Sequence, residues 1–120
     1  MEPKVLVVED DRATQDGWNT TLKGLVNLVS AYTIEEAREA FTANPDIVAI
    51  VMDGCVPGDG DLDNPNTRSL VCDLRLTFKG PIIAASGSPY YGNLLVEAGC
   101  TYRCEKKDVP RKILDILDIK

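Results

Sequence analysis

Six side chains, spread from position 9 to position 106, could do chemistry together: Glu9, Asp10, Asp11, Asp53, Ser86 and Lys106. The three acids follow the apolar run Val5-Leu6-Val7-Val8 without a break. Converging on one spot they would repel one another, and a cation among them would remove that cost. Asp10, Asp11 and Asp53 would supply hard oxygen ligands, few enough to leave waters on the ion, which suits Mg2+. Ser86 offers a hydroxyl, and Lys106 a compact positive charge, to two oxygens of a phosphoryl group. Phosphoryl transfer spreads charge over three equatorial oxygens, and metal, hydroxyl and ammonium would each take one. Asp53 is then the natural nucleophile. Each residue alone has a plainer reading. Asp10 or Asp11 could cap a helix, Asp53 could end a strand, and Ser86 and Lys106 could be surface polar groups. Their joint placement weighs against that.

Residues so far apart meet only if the elements before them end at one level. Lys4–Val8 reads as a strand. In residues 12–25, Thr14, Trp18, Thr21, Leu22 and Leu25 share a helical face, with Trp18 expected in the core. Gly17 weakens that helix and Gly24 ends it. Val26–Tyr32 alternates like a strand. Thr33-Ile34-Glu35-Glu36 is a capping box opening a helix with Ile34, Ala37, Ala40 and Phe41 inward. Asn44-Pro45 stops it. Ile47–Met52 is apolar throughout, the mark of a central parallel strand covered on both faces.

A loop rich in Gly, Asp and Pro runs from 53 to 66 or so, and a helix follows with Leu70, Val71, Leu74 and Phe78 inward. Lys79-Gly80-Pro81 turns into the strand Ile82–Ala85. Ser88-Pro89 opens a helix presenting Tyr91, Leu94, Leu95 and Ala98, closed by Gly99. Cys100–Cys104 is a weak last strand, and residues 108–119 form a final helix with Val109, Ile113, Ile116 and Leu117 inward. Five strand–helix repeats with short connections imply an α/β fold: a doubly wound, five-stranded parallel sheet with helices on both faces. Such sheets bind ligands at the carboxyl ends of their strands. Four of the five expected strands carry a chemically loaded residue there.

The 120 residues fit one domain, 1–120, with no length left for an effector domain. A net charge of −6 disfavours direct nucleic-acid binding and docking on anionic membranes. The longest apolar run, Ile47–Met52, cannot span a bilayer, and Glu2 sits where a signal peptide wants positive charge, so a cytoplasmic location is expected. Four cysteines without a C-x-x-C, in a chain lacking histidine, argue against zinc and for reduced thiols packed as small hydrophobes. The missing histidine also removes Ser-His and Cys-His catalysis.

Over essentially its whole length the sequence resembles a stand-alone response-regulator receiver domain of two-component signalling. "VLVVEDD" is similar to that family's first strand and acid pair, "PDIVAIVMDGCVPGDG" to its phosphoacceptor strand and loop, "PIIAASG" to its strand ending in Ser or Thr, and "EAGCTYRCEK" to its last strand and lysine. No single piece is specific; the ordered set is. The resemblance implies the flavodoxin-like receiver fold with strand order 2-1-3-4-5. It implies that Asp53 is phosphorylated, and that Asp10, Asp11, Asp53 and the backbone carbonyl of Cys55 hold Mg2+. Ser86 would be the switch hydroxyl and Lys106 the phosphate lysine. The implied partners are a sensor histidine kinase or a histidine phosphotransfer protein, and a downstream target protein. The only chemistry expected is self-catalysed phosphoryl transfer and hydrolysis, not turnover of a substrate.

Three positions depart from the family's pattern. Arg103 stands where an aromatic is usual, with Tyr102 beside it, and an unpaired buried arginine would be costly. The switch would then run differently, or Tyr102 would substitute. Lys107 replaces the usual proline, leaving Lys106 and Lys107 to be told apart by spacing from Gly99, which favours Lys106. The stretch between Asp53 and Ser86 is longer than usual, the excess falling in "GDGDLDNPNTRS". There Asp59, Asp61 and Asp63 imitate a calcium loop, but Asn64 and Leu70 occupy its Gly and Glu places, so a solvated acidic turn is expected. Tyr90 and Tyr91 open the fourth helix, as partner contacts or as packing. Three other functions compete: a small Asp-nucleophile phosphatase, a flavodoxin-like cofactor binder, and a receiver with an impaired switch acting as a protein-binding module.

Overall fold

The computed structural model describes residues 2–54, 56 and 66–119. Its strands are β1 (Lys4–Val8), β2 (Asn27–Ala31), β3 (Ile47–Met52), β4 (Ile82–Ala85) and β5 (Tyr102–Cys104). The helices are α1 (Arg12–Leu22), α2 (Ile34–Ala43), α3 (Arg68–Arg75), α4 (Pro89–Ala98) and α5 (Val109–Ile116), the last preceded by a 3-10 turn over Lys106–Asp108. All strand pairs are parallel, in the order β2-β1-β3-β4-β5. This is the doubly wound, flavodoxin-like arrangement expected.

The strand period of two sorts side chains between the faces. Leu6, Val8, Ile50, Met52, Ile82 and Ala84 join one core with residues of α2, α3 and α4. Val5, Val7, Ala49, Val51, Ile83 and Ala85 join the other, with Trp18 and Leu22 of α1 and Val109 and Ile113 of α5. The apolar runs are therefore buried on both sides, except at Val48 near the start of β3, which is exposed. Caps behave as their residues dictate: Thr33 accepts from the Glu36 amide, and Ser88 accepts from the Tyr91 amide.

One helix face differs from expectation. α1 ends at Leu22 and buries Gln15, Trp18 and Leu22, whereas Thr21 and Leu25 are exposed. A polar residue can be buried here because the Gln15 amide nitrogen donates to the carbonyls of Val7, Glu9 and Ala31 at 3.1, 3.1 and 3.2 Å. It pins the carboxyl ends of β1 and β2 together.

The opposite end of the sheet is held by Arg75. Its guanidinium donates to the carbonyls of Gly99, Phe78 and Gly80 and to the Thr101 hydroxyl. Gly99, at φ 136°, lets it pass, since a Cβ there would lie 2.8 Å from the Arg75 Cγ. Arg75→Met keeps most of the stem but orphans these acceptors. It should cost about 2–3 kcal/mol, read as a lower urea midpoint at unchanged slope.

Candidate functional site

The carboxyl ends of β1, β3 and β4, with the turn after β5, meet at one edge of the sheet. Glu9 and Asp10 leave β1, Asp53 follows β3, Ser86 follows β4, and Lys106 opens the 3-10 turn. The pairing of β1 with β3 aligns Val8 with Met52, and the Asp53 amide donates to the Val8 carbonyl at 2.9 Å. That register sets Asp53 beside the acids. One carboxylate oxygen from each of Glu9, Asp10 and Asp53 lies within 4.8 Å of the others.

Each group is held from behind. Glu9 is 1% exposed; its Oε2 accepts from the Asp11 amide at 3.0 Å, and its Oε1 lies 2.8 Å from the Lys106 ammonium. Asp53 is 7% exposed; its Oδ1 accepts from the Gly54 amide at 2.7 Å, and its Oδ2 lies 3.4 Å from the same ammonium. Thr67, fully buried, donates its hydroxyl to the Asp53 carbonyl at 2.6 Å and lies 3.1 Å from the Gly54 carbonyl. The Trp18 indole donates to the Lys106 carbonyl at 3.1 Å, and the Val109 amide donates to the same oxygen. Ser86 Oγ accepts from the Ser88 amide at 3.1 Å.

Electrostatics follow from this crowding. Burial, then the Glu9 charge, push the Asp53 carboxyl up to about 7, against the opposing pull of Lys106. Burial would lower the Lys106 ammonium, but contact with Glu9 and the charge of Asp53 outweigh it and hold it above the ordinary range. Three converging carboxylates with one lysine leave negative charge to spare. Glu9 Oε1 is buried and takes no well-directed hydrogen bond. The donor set is all oxygen, so the residues fit a hard cation.

The structure brings Asp10, Asp53 and Lys106 together, with Ser86 on the neighbouring strand end. It does not bring in Asp11. That residue is exposed at the N-cap of α1, and its carboxylate accepts from the Thr14 hydroxyl at 2.6 Å. Glu9 joins Asp10 and Asp53 in the cluster instead. Cys55 and the acidic run Asp59, Asp61 and Asp63 lie outside the described residues. Cys72, Cys100 and Cys104 are free thiols. Arg103 is not buried: its stem crosses Gly92 of α4, where a Cβ would come within 2.7 Å, and its guanidinium bonds Asn93. Tyr102 stays outside too, with the Lys112 ammonium 4.8 Å from its ring centre. Tyr91 packs inward on Gly54, while Tyr90 is exposed.

Solved receiver domains share this fold. The chain superposes on the BeF3-activated N-terminal receiver domain of Klebsiella pneumoniae RstA with a TM-score of 0.78 at 24% identity, over 97% of this chain and 96% of that one. The fold is that of a response-regulator receiver domain. A putative response regulator from Chloroflexus aurantiacus matches at 0.78 and 23% identity, over 98% and 99% of the two chains. A CheY-like receiver domain from Methylobacillus flagellatus matches at 0.77 and 20% identity, over 100% of each. No protein-family model matches the chain, and no curated protein does. Among the described residues no helix is long and apolar enough to cross a membrane.

The raised Asp53 group ties stability of this receiver fold to pH. Folded Asp53 holds its proton to about pH 7, whereas the ordinary value is 3.8, so folding takes up a proton between them. The stability it contributes is therefore complete at low pH and is lost as pH rises through that window. In cation-free buffer, Asp53→Asn should flatten that slope and exceed the wild type at pH 8 by about 1–3 kcal/mol in urea unfolding.

Proposed function

We propose that this chain is a phosphoacceptor switch of two-component or phosphorelay signalling, residues 1–120 acting as one receiver unit. The donor would be the phosphohistidine of a sensor histidine kinase or of a histidine phosphotransfer protein. A downstream target protein would read the result. The observation that carries this is the convergence of Glu9, Asp10 and Asp53 within 4.8 Å, with Lys106 bridging Glu9 and Asp53, at the active edge of a receiver-type sheet.

In the transfer, a carboxylate oxygen of Asp53 forms a bond to phosphorus as the bond from phosphorus to the donor's imidazole nitrogen breaks. With the donor's imidazole protonated on its other nitrogen, the bonding pair stays on the ring and the products are an aspartyl phosphate and a neutral imidazole. Lys106, already 3.4 Å from Asp53, needs only to loosen its hold on Glu9 to pair with a phosphoryl oxygen. Ser86 would give up its bond from the Ser88 amide to donate its hydroxyl to a second oxygen. Glu9, Asp10 and Asp53 would hold Mg2+, with the Cys55 carbonyl a further proposed ligand. The ion would offset the clustered carboxylates and the charge on the transferring oxygens. Signalling would run through Ser86 and β5, with Arg103 already clasped to α4. The acidic net charge of −6 favours protein partners over nucleic acid or anionic membrane, and the cytoplasm is the proposed location.

Acetyl phosphate with Mg2+ should add one phosphoryl group to the wild type and none to Asp53→Asn, read by intact mass. Lys106→Ala should slow uptake by about a hundredfold. Absence of label on the wild type, or label at the same rate on Asp53→Asn, would sink the reading. Glu9→Gln and Asp10→Asn should weaken Mg2+ binding by about tenfold or more, and Asp11→Asn by less than about threefold, in a calorimetric titration.

A further inference from the structure

One wall of the described part of the site is the bare backbone of Gly54 with a ring laid against it. Gly54, immediately after Asp53, is buried, and its missing side chain points at three atoms of other residues. A Cβ built there lies 3.0 Å from Tyr91 Cδ2, 3.4 Å from Tyr91 Cβ and 3.3 Å from Ser86 Oγ. Tyr91 therefore lays its ring edge against the backbone that carries the nucleophile, beside the hydroxyl that must move to serve it. The ring is placed by α4 itself. Ser88 caps the helix by accepting from the Tyr91 amide at 3.3 Å, and Pro89 fixes the first turn, so position 91 projects toward the sheet edge while Tyr90 projects outward, 59% exposed. Gly54 permits this close approach: a Cβ there would push the ring edge off by a few tenths of an ångström.

We propose that Tyr91 is a positioning residue that walls the α4 side of the site and sets the lifetime of the aspartyl phosphate. The inference rests on the phosphoacceptor reading and deepens it. Hydrolysis forms a bond from a water oxygen to phosphorus and breaks the bond from phosphorus to the Asp53 oxygen. It returns the Asp53 carboxylate and inorganic phosphate, which carries off both protons of the water. The rate depends on water reaching the phosphorus in line. An aromatic edge packed on Gly54 and Ser86 excludes water from that flank. Uptake of the phosphoryl group, governed by Lys106 and the acids, does not need the ring.

The test is decay of the aspartyl phosphate, followed by intact mass after removal of acetyl phosphate, with Mg2+ present throughout. Tyr91→Ala should shorten the half-life by about three- to tenfold with uptake within about twofold of wild type, and Tyr91→Phe should restore the wild-type value. Gly54→Ala should shorten it to a similar degree by displacing the ring. Added to Tyr91→Ala it should change nothing more, a non-additivity that simple loss of packing would not produce. Far-ultraviolet circular dichroism confirms folding of each variant. Equal half-lives for wild type and Tyr91→Ala, a Tyr91→Phe variant as fast as Tyr91→Ala, or additive effects in the double variant overturn the inference alone. Failure of the wild type to take up phosphate overturns the phosphoacceptor reading and this inference with it.

Discussion

The site depends on one lysine holding two buried carboxylates. Lys106 stands 2.8 Å from Glu9 and 3.4 Å from Asp53, and a third acid, Asp10, completes the cluster. Removing that ammonium would leave like charges facing one another under little water, which is among the costlier arrangements a protein interior can hold. The anchoring of Lys106 follows from this. Its carbonyl is gripped by Trp18 from α1, so the charge is fixed relative to β1 from one side and to β3 from the other. Even so the lysine does not win outright: burial first, and then the Glu9 charge, keep the Asp53 group raised.

Much of the architecture was legible because the apolar runs obey simple periods. β3 and β4 begin and end where their apolar runs do, β1 adds only Lys4 to its run, and the strand order follows the resemblance to receivers. What was misread involved polar residues doing the work of apolar ones. Gln15 lies in the core through three carbonyls that no pattern of hydrophobicity reports. Thr21 and Leu25 fit a helical wheel, but the helix ends before the wheel is complete.

The site was legible by residue type, less so by register. Three consecutive acids offer two adjacent pairs, and only the direction of the chain leaving β1 selects Glu9 with Asp10 over Asp10 with Asp11. Thr67 gave no sign of itself, since a threonine at the entry to α3 looks like any helix start. It reaches Asp53 across 14 positions of sequence. Arg103 posed the problem of a buried cation, and the fold avoids it with Gly92, whose bare backbone lets the arginine stem lie flat outside.

The Arg75 staple has a mechanical consequence. It binds the end of α3, the turn into β4 and the turn out of α4 into one block, so the last turn of α4 is bolted to the base of the sheet. Among the described residues, the first turn meets Gly54, Ser86 and the Arg103 clasp. A helix fixed at one end and propped at the other behaves as a lever. Its fulcrum would lie near Gly99, so a displacement beside Ser86 would carry further at the outward ring of Tyr90 than at Ala98.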